Sequence, residues 1–145
     1  MKEAQFSDVP RDWAVCLDED CPLATTCQRR MFGRLIPVDV VEHNVVLPGA
    51  RRGDKCQRYV EARPVRIVWG MTKLFAGVKW WEAQEMRWEI MNDIFGGRSQ
   101  FYRYRRGRWP IPPERQEEIR AVFRRYGYEQ EPRYDRVEET YYFPE

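Results

Sequence analysis

The stretch CPLATTCQRR, Cys21–Arg30, decides how the first half of the chain is organised. Cys16 lies just before it and Cys56 far beyond, so the spacing runs Cys16-x4-Cys21-x5-Cys27 and then twenty-eight residues to Cys56. A reducing compartment keeps thiols apart, which disfavours a pair of structural disulfides and leaves metal ligation or plain burial. Tetrahedral zinc sites commonly start from shorter Cys–Cys knuckles, whereas iron–sulfur centres tolerate irregular spacings. Free cysteine is also among the most often buried residues, and Cys16 sits in the apolar WAVCL. Zinc held by Cys16, Cys21, Cys27 and Cys56 is the first expectation, with an iron–sulfur cluster or no metal as the alternatives.

Pro22 suits the first position of a helix, and PLATTCQRRMF has the composition to continue one. Cys21 would then open the helix with Cys27 about 9 Å further along its axis, at about 1.5 Å per residue. That reach suits a cluster better than one ion. His43, the single histidine, could replace one thiolate, but between Glu42 and Asn44 it reads as a surface or turn residue.

Outward from this segment, RLIPVDVVEHNVVLPGARRGD alternates β-branched runs with the turn signals LPG and RRGD, and PVRIVWG at Pro64–Gly70 reads as a further strand. These strands are expected to form a small sheet with the cysteine segment and to carry Cys56 back to the other thiols. A metal would staple a lobe too small to hold itself by burial.

From Trp80 the period becomes helical. Ala83, Met86, Ile90 and Ile94 recur at helical spacing, Trp81, Trp88 and Phe95 widen the apolar side, and Gly96-Gly97 ends the run. A short helix follows in RSQFYRYRRG, with Ser99 as N-cap and Gly107 as stop. Pro112-Pro113 introduce a third helix, which Gly127 closes, and its stripe of Ile119, Val122, Phe123 and Tyr126 reads as core. Glu82, Glu85 and Glu89 read as a solvated face. The expected fold is α+β: a cysteine-rich lobe with short strands over 1–70, then a three-helix, helix-turn-helix-like unit over 71–145 whose terminal YYF docks on the body.

The formal charge of +2 conceals a segregation. Residues 1–22 carry two bases and six acids, residues 23–58 seven bases and three acids, residues 96–127 nine bases and three acids, and residues 128–145 two bases and six acids. Such a pattern either pairs acidic ends with a basic middle or leaves a basic face for a polyanion. No apolar run reaches the length of a membrane span, and MKEAQFSDVP lacks a signal-peptide core, so a cytoplasmic protein with no membrane partner is expected.

Residues 98–108 contain Arg98, Arg103, Arg105, Arg106 and Arg108 and no acid, interleaved with Phe101, Tyr102 and Tyr104 and followed by Trp109. Guanidinium groups grip phosphate and aromatic rings stack on bases, so this composition suits a nucleic-acid surface. The alternative is that the rings are core and the arginines cover them, or grip an acidic protein partner. IFGGRSQFYRYRRG resembles the turn and recognition helix of phage-repressor-type helix-turn-helix proteins, with Gly96 on the turn glycine and Tyr102 on the buried position of the second helix. That resemblance implies groove-facing roles for Arg98, Ser99, Gln100, Arg103 and Arg106, and the basic run adds Arg105 and Arg108 as nucleic-acid-binding candidates. Taken whole, the chain also resembles a family of small bacterial proteins of no assigned activity, with an N-terminal Cys-x4-Cys-Pro-x4-Cys segment and a C-terminal FYRYRRG followed by PPERQEEI.

An enzyme is the weakest expectation. The sequence holds no nucleophile motif, no phosphate-binding glycine loop and one histidine, so a redox role through an iron–sulfur centre is the only enzymatic route it suggests.

Overall fold

A computed structural model describes residues 3–144. The fold is α+β, with four α-helices and two small antiparallel sheets among the described residues. The chain divides into two compact units, one comprising the chain up to Pro64 together with the segment from Tyr141 onward, the other Val65–Thr140.

The first unit contains α1 (Gln28–Gly33) and the hairpin β1 (Arg51–Arg52) and β2 (Lys55–Cys56). Gly53 makes the hairpin turn at φ +64°, a conformation that glycine adopts without steric cost, and the register pairs Arg51 with Cys56. The rest is extended chain tied by single bridges: Val15 beside Val45, and Cys27 opposite Glu61. The strands expected over 34–54 shrink to this hairpin and one bridge, because Val38 and Val41 find no partner backbone and stand fully exposed.

Trp13, Val15 and Phe32 form the small buried core of this unit. Its lid comes from the far end of the chain. Phe143 meets Trp13 and Phe32 edge-on or tilted at 4.9 and 5.1 Å between centroids, and Tyr141 meets Phe32 at 5.5 Å. Trp13 Nε1 donates to the Pro144 carbonyl at 2.7 Å, and buried Gln28 Nε2 donates to the Tyr142 carbonyl at 2.8 Å. The YYF tail therefore packs onto the cysteine-bearing unit, and the strand at 64–70 lies in the other unit.

The second unit contains β3 (Val65–Trp69), α2 (Trp80–Glu89), α3 (Arg98–Arg105), α4 (Pro113–Arg125) and β4 (Arg136–Thr140). β3 pairs with β4 from Val65 opposite Thr140 to Trp69 opposite Arg136, and not with the cysteine segment. Its inward residue Val68 joins Met71, Leu74, Met86, Ile90, Phe95, Phe101, Ile111, Ile119, Val122 and Phe123 in one core. The stripe expected on α4 is thus core, with Tyr126 packed at its margin.

Three details of the helices differ from the sequence reading. Trp81 and Trp88 are 54% and 65% exposed, not core. At roughly 100° per residue Trp88 lies about 200° round the helix from both Met86 and Ile90, on the opposite face. A π-turn over Ile90–Ile94 then widens the helix, Phe95 N–H reaching back to the Ile90 carbonyl, so that Phe95 follows Ile90 into the core. Finally, Gly97 and not Ser99 caps α3, and Phe101, 1% exposed, takes the buried position expected of half-buried Tyr102.

α4 is clamped by acids. Arg120 binds both Glu131 and Glu117, Arg124 binds Glu117 at 2.6 Å, and Arg66 reaches Glu131 at 3.3 Å. The Arg120 bonds hold the Glu131 carboxyl below its ordinary value of 4.5, and bonds from Arg124 and Arg120 do the same for Glu117. Folded values below the unfolded ones mean stability that is complete above pH 4.5 and lost as pH falls through the depressed values. Denaturant midpoints of wild type and Glu131→Gln should therefore differ at neutral pH and converge in acid; a gap independent of pH would contradict this clamp.

Gly33 ends α1 where a β-carbon would overlap the Cys16 carbonyl oxygen. Gly33→Ala is expected to destabilise the first unit by about 1–3 kcal/mol, as overpacking against backbone does. Chemical denaturation measures it, and an unchanged midpoint would show that the contact has room to give.

Candidate metal centre and basic helix face

The four cysteines, free of disulfide bonds, are brought to one place by four separate backbone devices. Cys16 N–H donates to the Arg29 carbonyl at 3.0 Å, which fixes the first extended segment against the start of α1. Cys21 opens a chain of turns, with Ala24 N–H bonding the Cys21 carbonyl and Cys27 N–H the Leu23 carbonyl. Cys27 is in extended conformation before α1 and pairs with Glu61, flanked by Gln28 N–H to the Val60 carbonyl and Ala62 N–H to the Thr26 carbonyl. Cys56 arrives on β2.

Residues 22–26 are turns and α1 begins only at Gln28, which corrects the helix expected from Pro22. The reach that argued against a single ion disappears with that helix. Cys16, Cys21, Cys27 and Cys56 all line one cavity of about 20 Å³, with Leu23, Arg29, Arg30, Val46, Arg58 and Tyr59 completing its wall. A wider apolar hollow, lined by Leu17, Val45, Leu47, Pro48 and Ala50, lies beside Cys16, Cys21 and Cys56.

Three of the four sulfurs, those of Cys16, Cys21 and Cys56, have a common local geometry. Asp18 N–H points at Cys16 Sγ at 3.5 Å, Leu23 N–H at Cys21 Sγ at 3.4 Å, and Arg58 N–H at Cys56 Sγ at 3.4 Å. Each donor is two residues beyond its cysteine. Hydrogen bonds to sulfur are a means by which proteins tune metal-bound thiolates. Among the described residues no group of three or more His, Cys, Asp and Glu side chains stands ready-arranged around an ion, so metal binding would have to turn the sulfurs further into the cavity.

Around this cavity the sequence reading missed two residues. Arg29 is 2% exposed and Arg30 8%. Arg29 donates from Nε to the Arg58 carbonyl at 2.7 Å and from Nη1 to the Ala14 carbonyl at 2.6 Å, with its guanidinium 4.3 Å from the Trp13 ring centroid. Burial lowers its pKa and neighbouring Arg58 adds to this, while the sulfurs of Cys27, Cys56 and Cys16 oppose the shift. Arg30 meets Glu19 only at 3.9 Å, and its buried Nε has no hydrogen-bond partner. Nothing in the sequence marks these two arginines among the twenty-five basic residues.

His43 stays apart from the thiols. Its Nε2 lies 3.0 Å from the Trp13 carbonyl, to which it must donate, and its ring packs against Phe6.

In the second unit, α3 and the turn after it carry Arg98, Ser99, Gln100, Arg103, Arg106 and Arg108 exposed and Arg105 half-buried. Phe101 anchors the helix in the core, while Arg98 and Arg105 lie over the Tyr102 ring and Arg103 over Trp109, at 5.2–5.9 Å. Among the described residues none of these five arginines forms an ion pair, in contrast to Arg66, Arg120, Arg124 and Arg125. Elsewhere in this unit Gln84, Glu85, Trp88, Glu89, Asp93 and Tyr126 line an open hollow, where Arg125 pairs with Glu89. Glu89 is thus neither free nor fully solvated, and Glu82 Oε2 is buried without a partner.

The arrangement is that of an α+β protein with a thiol-lined cavity and an uncompensated arginine helix. By its sequence the chain belongs to the family of unknown function DUF6078, whose model matches residues 1–143. No curated protein and no solved structure matches it. Among the described residues no helix is long and apolar enough to cross a membrane.

Proposed function

We propose that this chain is a metal-stapled nucleic-acid-binding protein, in which the four cysteines organise the first unit and the α3 face binds a polyanion. The observation that carries the reading is the state of the α3 arginines: Arg98, Arg103, Arg105, Arg106 and Arg108 have no acidic partner among the described residues, although the acids of 128–140 are close enough in the same unit to clamp Arg66 and Arg120. Unpaired guanidinium groups beside partly exposed Tyr102 and Trp109 supply phosphate contacts and stacking surface together. Arg98, Ser99, Gln100, Arg103 and Arg106 would face bases in a helix-turn-helix mode, and Arg105 and Arg108 phosphate.

A second reading, a protein-interaction domain, draws on the exposed Trp80, Trp81 and Trp88 of α2, which are 72%, 54% and 65% accessible. Aromatic anchors of this kind are enriched at interfaces, and the basic helix would then grip an acidic partner.

Fluorescence anisotropy with labelled DNA and RNA across a salt series separates the two. The nucleic-acid reading expects log affinity to fall with log salt, by about 0.9 per phosphate neutralised on duplex DNA, and the double variant Arg103→Glu/Arg106→Glu to lose binding while keeping its fold. Equal affinity of that variant and wild type would overturn it. Capture of protein partners that survives nuclease treatment would favour the interaction reading.

A further inference from the structure

A guanidinium cannot be buried without a counter-charge, and Arg29 has no carboxylate. Its hydrogen bonds run to the carbonyls of Ala14 and Arg58, and among the described residues it enters no ion pair. Removing a charge from water costs several kcal/mol unless an opposite charge compensates it. It lines one cavity with the sulfurs of Cys16, Cys21, Cys27 and Cys56, and the other guanidinium groups on that wall are those of Arg30 and the exposed Arg58. Arg30 is buried on the same cavity wall, donating from Nη1 to the Cys16 carbonyl at 3.3 Å, with Nε unpartnered and only a long ion pair, 3.9 Å, to exposed Glu19.

We infer that the four-cysteine cavity is an anionic centre for a single thiophilic divalent ion of the zinc class, and that Arg29 and Arg30 are its built-in counter-ions. This inference rests on the metal-stapled part of the reading above and adds the kind of metal and the residues that balance it. An ion of two positive charges ligated by four thiolates leaves two negative charges, which the two buried guanidinium groups match, the third arginine on the wall, Arg58, being exposed to solvent. Binding converts four thiols and the aquo ion into the tetrathiolate and releases four protons, with no change of oxidation state.

The cavity that all four sulfurs line, about 20 Å³, is little larger than one water-sized site of about 10–15 Å³, so where the four meet there is room for one ion. Cys16, Cys21 and Cys56 also border the wider hollow of about 420 Å³, so the iron content and colour of the purified chain separate one ion from a cluster. Backbone N–H groups lie 3.4–3.5 Å from the sulfurs of Cys16, Cys21 and Cys56 and could go on donating to thiolates turned toward an ion. Arg29 acts through those sulfurs as a positioning residue. It also ties them to the core of the unit, since its guanidinium lies over Trp13.

The test is metal analysis of the full chain purified without oxygen, followed by titration of the metal-free protein with Co²⁺. One ion per chain, with the visible and near-ultraviolet absorption of a tetrahedral tetrathiolate cobalt site, is expected. Competition with a chromophoric chelator should show Arg29→Gln binding Co²⁺ about 10- to 100-fold more weakly, the range found when partners of metal ligands are removed, with Arg29→Lys recovering part of the loss. A merely structural role for Arg29 would not be rescued in this way by lysine, which cannot repeat its paired carbonyl contacts. Should near-ultraviolet circular dichroism show Arg29→Gln unfolded, Arg30→Gln carries the same comparison. Absence of bound metal, a brown iron-containing chain, a cobalt spectrum with fewer than four sulfurs, or variants as tight as wild type would each overturn the inference. Polyanion binding at α3 is measured separately, so its loss in Arg103→Glu/Arg106→Glu would not be mistaken for failure of the metal centre.

Discussion

A buried cation facing sulfur is the constraint on which the first unit depends. Arg29 lies 2% exposed between the Trp13 ring and the cysteine cavity, with two backbone carbonyls as acceptors and no carboxylate. Carbonyl dipoles solvate a guanidinium but do not neutralise it, and in the proposed centre the metal-bound thiolates would supply the opposing charge. The same residue supplies the carbonyl that fixes Cys16. Through it the cysteine cavity and the small aromatic core are parts of one structure.

That core needs such help. A buried cluster of three side chains, Trp13, Val15 and Phe32, with a lid from Tyr141 and Phe143, is little apolar burial for a segment of this length. Small lobes often rely on a disulfide or a metal, and with all four cysteines free of disulfides the proposed metal would fill that role. The second unit has a fuller core and needs none. There the charges divide into those spent on the fold, Arg66, Arg120 and Arg124 with Glu117 and Glu131, and those of α3, left to solvent with rings beside them.

Much of this organisation was legible in the sequence, and the misses have physical causes. The α4 stripe from Ile119 to Phe123 and its proline and glycine ends were read correctly because periodicity and punctuation agree there. β3 was recognised as a strand, but its partner β4, RVEET, has four exposed residues out of five and no alternation to announce it. The helix expected from Pro22 fails because the backbone around Cys27 pairs with 60–62 instead, Cys27 opposite Glu61 and Gln28 N–H on the Val60 carbonyl, which leaves 22–26 in turns. Trp81 and Trp88 are hydrophobic yet face solvent, and only their angular position on the helix, not their residue type, carries that signal. The cysteines announced themselves by type and grouping. Arg29 and Arg30 could not, since a buried arginine looks like any other until the atoms around it are known.

The most direct measurement is a backbone amide spectrum by NMR of the chain loaded with zinc and again after chelation. The account predicts that removing the metal broadens or collapses the amide resonances of residues 13–62 while those of Val65–Thr140 hold their positions. Unchanged resonances for Cys16, Cys27, Arg29 and Cys56 in the metal-free chain would contradict it, because the buried guanidinium would then need no anionic centre to keep it in place.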